Sequence, residues 1–249
     1  MTKSIALSFA RVRKAFGRHT ALADFSLTVQ EGELFGLVGV NGAGKTTLIK
    51  CLLDFAAPDA GRIEVFGVPH RETAARRELA FLPERFLPPY YLTGRDFLRY
   101  MLTLHRARFA PDRTQAMFEA LDLDPRALDL PVRSFSKGMT QKLGLAACLL
   151  SNKRLYVLDE PTSGLDPRAR ALLKRQLLAL RSAGRTVFVT SHLLADVEQL
   201  CDRMAVLHGG TIRYVGTPAE LLARHGTDDM EQAFLRCIES ESSPPRDKA

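Results

Sequence analysis

Residues 39–47, GVNGAGKTT, constrain this chain more than any other stretch. They follow the apolar run LFGLV and precede a segment with helical spacing, so a glycine-rich turn joins a buried strand to a helix. Gly39, Gly44, Lys45 and Thr46 fall at the spacing G-x-x-x-x-G-K-[ST]. Backbone this bare lets successive N–H groups converge on an anion without Cβ crowding. The helix that follows aims its unpaired N–H groups and positive dipole end at the same point. Lys45 then offers a point charge to β- and γ-phosphates, and Thr46 a hydroxyl oxygen to Mg2+. The turn predicts a nucleoside triphosphate site, with Asn41, Gly42, Ala43 and Thr47 completing the cradle.

A phosphate loop alone does not say how the energy is used. In LYVLDEP, residues 155–161, an apolar run ends in adjacent carboxylates, at the strand edge where open α/β sheets bind ligands. There Asp159 is expected to hold Mg2+, and Glu160 to polarise a water for in-line attack on the γ-phosphate. In TSGLDP, residues 162–167, Asp166 is a natural helix N-cap and Pro167 suits a first helical position; that role is compatible with a functional one. His192 leaves the run TVFVTS on the same edge. A lone histidine is usually structural, but one leaving a buried strand on this edge could reach a γ-phosphate.

The rest of the chain supports an α/β core. Its 249 residues, 46% hydrophobic, allow one domain or two lobes, and 25% charged residues argue against global disorder. Alternation through residues 24–29, with segments 5–12 and 61–67, predicts an early antiparallel sheet. Continuous apolar runs at 33–39, 155–159 and 186–191 predict parallel strands covered on both faces, with helices over 45–55, 167–183 and 192–201. Between 86 and 150 the pattern is helical, with candidates at 96–109, 113–123 and 138–150, which reads as an insertion. The end, SSPPRDKA, is expected to fray. No apolar stretch approaches the roughly 20 residues that cross a bilayer, and the N-terminus lacks an apolar signal region, so the chain is expected in the cytosol. Cys51, Cys148, Cys201 and Cys237 form no C-x-x-C pair and read as buried thiols in a reducing compartment. A net charge of +7 and a pI near 9.4 fit nucleic acid, an anionic inner leaflet, or merely a solvated basic surface.

From about residue 5 to 222 these motifs, in this order, resemble the ATP-binding cassette (ABC) ATPases. GVNGAGKTT is similar to their Walker A, LYVLDE to Walker B, SGLD to the D-loop, and Ser191–His192 to the switch histidine. FSKGMTQKLGLA, from Phe135, resembles the signature segment whose usual form is L-S-G-G-Q. The resemblance implies an α/β fold: a P-loop NTPase core of mainly parallel sheet flanked by helices, an N-terminal antiparallel β subdomain and an inserted α-helical subdomain. It implies one ATPase domain over 1–240, an insertion at about 86–150, and a polar tail at 241–249. It further implies that two cassettes, identical or related, pair head to tail with ATP and Mg2+ between them. Ser136 and the Gly138 amide would then face the γ-phosphate bound to the other copy, with Asp166 at the same interface and Glu160 and His192 catalytic.

Three segments depart from that pattern. Lys137 and Met139 replace Gly and Gln in the signature; Lys137 either adds a charge or faces solvent. Glu84 stands where the Q-loop has glutamine, and a carboxylate remains an Mg2+ ligand beside Thr46 and Asp159. Phe16 stands for the base-stacking aromatic, unless it is a strand-end core residue. The variants LPE, FSKGM and EQAFLR resemble a subgroup of exporters whose integral membrane permease is a separate chain. That implies a peripheral protein on the cytoplasmic face of the inner membrane, touching the leaflet only indirectly, with residues 85–97 receiving the permease and no nucleic acid partner. The competing class is a non-transport ABC ATPase acting on ribosomes or DNA. The basic pI favours it slightly; a single cassette without coiled-coil or zinc-hook insertions speaks against it.

Overall fold

Residues 4–239 are described by the computed structural model; the expected frayed tail, 241–249, lies outside them. In chain order the elements are β1 (Ile5–Phe16), β2 (His19–Gln30), β3 (Leu34–Val38), α1 (Lys45–Leu52), β4 (Ala60–Val65), β5 (Val68–Pro69), α2 (Thr73–Arg77) and β6 (Leu79–Leu82). There follow α3 (Gly94–Leu104), α4 (Pro111–Ala120), α5 (Lys137–Leu150), β7 (Leu155–Asp159), α6 (Pro167–Ser182), β8 (Thr186–Ser191) and α7 (Leu194–Leu200). The described chain closes with β9 (Arg203–His208), β10 (Thr211–Gly216), α8 (Pro218–His225) and α9 (Met230–Glu239).

Two sheets result. The alternating segments pair as an antiparallel sheet in the order β2-β1-β4-β5, with Phe9 opposite Leu27 and Val12 opposite Phe25, so one face is apolar and buried. The continuous apolar runs form the second sheet, β10-β9-β3-β8-β7-β6, parallel throughout except for β10. Between the sheets Phe35 stacks on Phe188 at 6.0 Å, and Phe9 meets Phe25 edge-on at 5.5 Å. Each fully buried aromatic of this kind contributes about 1.5–3 kcal/mol from area alone. The other face of the second sheet is covered by α5, α6 and α7.

The register of the second sheet positions the site. Asp159 lies opposite Thr190, and Val38 opposite Ser191, so β3, β7 and β8 end level. Whatever follows these three strands must emerge together on one edge.

The helical stretch after β6 holds no named strand, as expected. α5 is buried along residues 141–150 and packs on α3, α4 and β6, tying these helices to the sheet. Boundaries shift elsewhere. The helix after Lys45 stops at Leu52, short of Phe55, because Leu53 and Asp54 turn the chain. α7 starts at Leu194, leaving His192 in the loop before it. α3 ends at Leu104 and α4 spans Pro111–Ala120, which starts on proline at the first turn. β5, α2, β6, β9, β10, α8 and α9 are additions to the sequence reading. All four cysteines are buried, and no described helix is long and apolar enough to cross a membrane.

Candidate nucleotide site

The loop between β3 and α1 is shaped by its glycines. A Cβ on Gly39 would lie 2.4 Å from the Leu207 carbonyl oxygen. At Gly44 a Cβ would meet the Ala21 carbonyl at the same distance, and φ is +113°, a region closed to other residues. Gly44 is also the N-cap of α1 and brings no side-chain acceptor, so that cap leaves the first N–H groups of the helix to an incoming anion. Lys45 is buried and its Nζ curls back, donating to the carbonyls of Gly39 at 2.6 Å and Val40 at 3.4 Å. Burial lowers its pKa, while Glu160, Asp159 and Glu84 pull the other way.

The end of β7 presents two carboxylates in different surroundings. Asp159 is buried and accepts a 2.5 Å hydrogen bond from the Thr190 hydroxyl. Burial raises its pKa, the Thr190 bond opposes this, and the charges of Glu84 and Glu160 add to it. Glu160 has a left-handed backbone, φ +47°, unusual for a residue with a side chain. Its N–H donates to both the Thr190 carbonyl, at 3.2 Å, and the Thr190 hydroxyl, at 3.1 Å. That turn aims its carboxylate between two cationic or protonatable partners. Oε1 lies 3.9 Å from Lys45 Nζ, and Oε2 lies 2.7 Å from His192 Nδ1 and accepts from the His192 N–H at 3.2 Å.

A cleft of about 510 Å³ brings together Phe16, Asn41, Gly42, Ala43, Gly44, Lys45, Thr46, Thr47, Glu84, Asp159, Glu160 and His192. His19, Ala21 and Val40 complete its lining. Phe16 is 51% exposed, with Lys14 Nζ 5.2 Å from its ring centre, so it is no core residue. Gly39 lies beneath the loop, where its carbonyl holds Lys45.

Ser136, Gly138 and Asp166 do not line this cleft. Ser136 is the exposed N-cap of α5, its hydroxyl accepting from the Met139 N–H at 3.1 Å. Asp166 caps α6, accepting from the Ala169 N–H, and that bond holds its carboxyl below the usual range. Lys137 is exposed, and its stem runs along Gly164 of the SGLD turn. Two residues escaped the sequence reading. Thr190 bridges both carboxylate positions, and buried Gln141 donates to the Pro161 carbonyl at 3.3 Å, joining α5 to the turn after β7.

With this geometry the chain was compared with known proteins. A family model described as ABC transporter matches residues 22–163. An uncharacterized ABC transporter ATP-binding protein of Synechocystis sp. is 38% identical over 225 residues, covering 89% of this chain and 63% of that protein. The Nod factor export ATP-binding protein I of Bradyrhizobium diazoefficiens is 38% identical over 228 residues, covering 89% and 74%. The chain thus spans just under two-thirds of the first relative's length. A solved ATP-binding subunit of an ABC transporter matches with TM-score 0.86 and 28% identity, covering 93% of this chain and 99% of that one. A dimeric ATP-binding cassette in a post-hydrolysis state with ADP and Pi shares the fold, with TM-score 0.77, 20% identity, and coverage of 85% and 98%. By the family match and by these relatives, the chain belongs to the ABC transporter family, among its ATP-binding proteins.

Proposed function

We propose that this chain is the ATP-hydrolysing cassette of an exporter, closing on a second cassette and passing that motion to an integral membrane permease. The observation that carries the proposal is the cleft in which Lys45 and His192 flank the Glu160 carboxylate beneath a bare phosphate loop. On binding, the β- and γ-phosphates replace the Gly39 and Val40 carbonyls as partners of Lys45, and the uncapped N–H groups of α1 take the remaining oxygens. Phe16 offers its exposed face to the base. Glu160 orients and polarises the attacking water, and His192, hydrogen-bonded to Glu160, is the proposed contact to the γ-phosphate.

The donor set suits Mg2+: the Thr46 hydroxyl and the Asp159 and Glu84 carboxylates line one cleft, all hard oxygen ligands. Among the described residues no group of three or more His, Cys, Asp or Glu is placed to hold a metal by itself. When bound, the cation neutralises charge on the β- and γ-oxygens. Asp159 holds its place through Thr190.

Ser136, Gly138 and Asp166 sit off their own cleft, which supports a head-to-tail pair, of identical or related chains, in which they serve the neighbour's nucleotide. Residues 85–97 are the proposed permease contact; Leu87, Tyr90 and Tyr91 are strongly exposed there. The ATPase unit spans 1–240 with its insertion at about 86–150, seated on the cytoplasmic face of the inner membrane. Export is supported by the relatives named for Nod factor export. The test is Glu160→Gln. ATP binding persists, turnover nearly vanishes, and an ATP-bound dimer accumulates in light scattering. A variant hydrolysing at the wild-type rate removes Glu160 from its role.

A further inference from the structure

The excess positive charge is not spread evenly over the surface. At the amino-terminal edge of the parallel sheet, where β6 and β7 begin, a groove of about 640 Å³ is lined by Arg77, Arg106, Arg108, Arg113, Lys153 and Arg154. Among the described residues the only carboxylate in its lining is Glu78. Arg154 is engaged, pairing with Glu31 at 3.1 Å and lying 3.8 Å over the Phe66 ring. Lys153 donates to the His105 carbonyl at 2.9 Å. Arg77, Arg106, Arg108 and Arg113 are exposed and make no ion pair among the described residues. Four guanidinium groups lining one groove with a single carboxylate, Glu78, among them repel one another, and phosphate oxygens are the ligands their planar forks match best.

The nucleotide cleft opens at the opposite, carboxyl-terminal edge, a strand length of about 15 Å away. The groove is therefore separate from the ATP site. Its rim is apolar. Tyr100 and Leu104, 54% and 61% exposed, stand one turn apart on α3 and lead directly into His105 and Arg106. Arginines beside an exposed tyrosine and leucine are the chemistry of an interfacial membrane contact: phosphates are held by charge while the apolar pair enters the headgroup boundary.

We propose that this groove, with Tyr100 and Leu104, is a direct binding site for the phosphate headgroups of an anionic lipid surface. The site is distinct from the ATPase cleft, so its failure leaves the Glu160→Gln test untouched.

The purified chain is floated with vesicles of phosphatidylcholine alone, or with about one-third phosphatidylglycerol. Binding is expected only to the anionic vesicles, and it weakens as salt rises. The double variant R106Q/R108Q alters two exposed side chains outside the nucleotide site. It should bind these vesicles about 30-fold more weakly, roughly fivefold per arginine, with ATP hydrolysis unchanged. R62Q/R175Q removes the same net charge elsewhere and should retain binding. The proposal is overturned by absence of binding to anionic vesicles, by equal loss in both double variants, or by R106Q/R108Q binding as wild type. Capture of tRNA or an acidic peptide in place of the vesicles also overturns it.

Discussion

Replacing Thr190 by valine tests the geometry of the catalytic edge with almost no change in side-chain shape. Thr190 is fully buried, so the substitution exchanges one hydroxyl for a methyl inside a strand that valine suits. Two hydrogen bonds to that hydroxyl disappear, and they are unequal. The Glu160 N–H loses one acceptor but keeps the Thr190 carbonyl, which holds the left-handed turn. Asp159 loses the only hydrogen-bond donor that its carboxylate has among the described residues. A hydrogen bond to a buried charge contributes about 1.5–3 kcal/mol. If that loss is felt fully in the transition state, kcat falls roughly tenfold to a hundredfold. Because Asp159 is the proposed cation ligand, half-saturating Mg2+ rises, whereas ATP affinity measured without Mg2+ stays unchanged, since Lys45 and its loop are untouched. Thr190→Ser restores the hydroxyl and should recover most of the activity. The assays are steady-state hydrolysis titrated separately with ATP and Mg2+, and calorimetry with EDTA present. Wild-type kcat and Mg2+ dependence in Thr190→Val would refute the reasoning, as would a serine variant no better than valine.

Other expectations follow from single sites. Lys45→Ala should weaken ATP binding ten- to a hundredfold by calorimetry, the value of about one or two charge-assisted hydrogen bonds; unchanged affinity contradicts the phosphate contact. Gly44→Ala combines a forbidden φ with a Cβ 2.4 Å from the Ala21 oxygen, and should destabilise the fold by about 2–6 kcal/mol in chemical denaturation. Gly184→Ala, at φ +73° but with open space around it, should lose only about 1–2 kcal/mol, and equal effects at the two sites would undercut the steric argument. Burial pushes the Cys148 thiol up to about 12 and raises Cys201 in the same direction. At pH 8 the native chain should therefore leave both thiols unmodified by Ellman's reagent, all four cysteines reacting once denaturant is added.

The parts of this site that could be read from the sequence are those whose chemistry is local. The phosphate loop needs glycine, lysine and threonine at fixed spacing within one turn, so their identities carry the prediction alone. β3, β7 and β8 were legible because strands covered on both faces need continuous apolar runs. β6, only LAFL, is too short for its period to be distinguished from a helical turn. The β9–β10 hairpin did carry a signal, the dipeptide Gly209-Gly210 with both φ positive, as a two-residue turn requires.

Thr190 is a different case. A threonine in a strand is an ordinary β-former, and although Ser191–His192 follow it, neither says that the Thr190 hydroxyl reaches a carboxylate on another strand. Its role exists only because β7 and β8 pair with Asp159 opposite Thr190, 31 residues apart in sequence. A slip of one residue in that pairing would shift the strands by about 3.3 Å and turn the hydroxyl to the other face of the sheet, leaving Asp159 buried without a donor. The nucleotide chemistry therefore depends on apolar residues that touch no phosphate. Phe35 against Phe188, and Val157 and Leu158 beside Phe188 and Val189, hold the register, and the register aligns the polar ends of the strands.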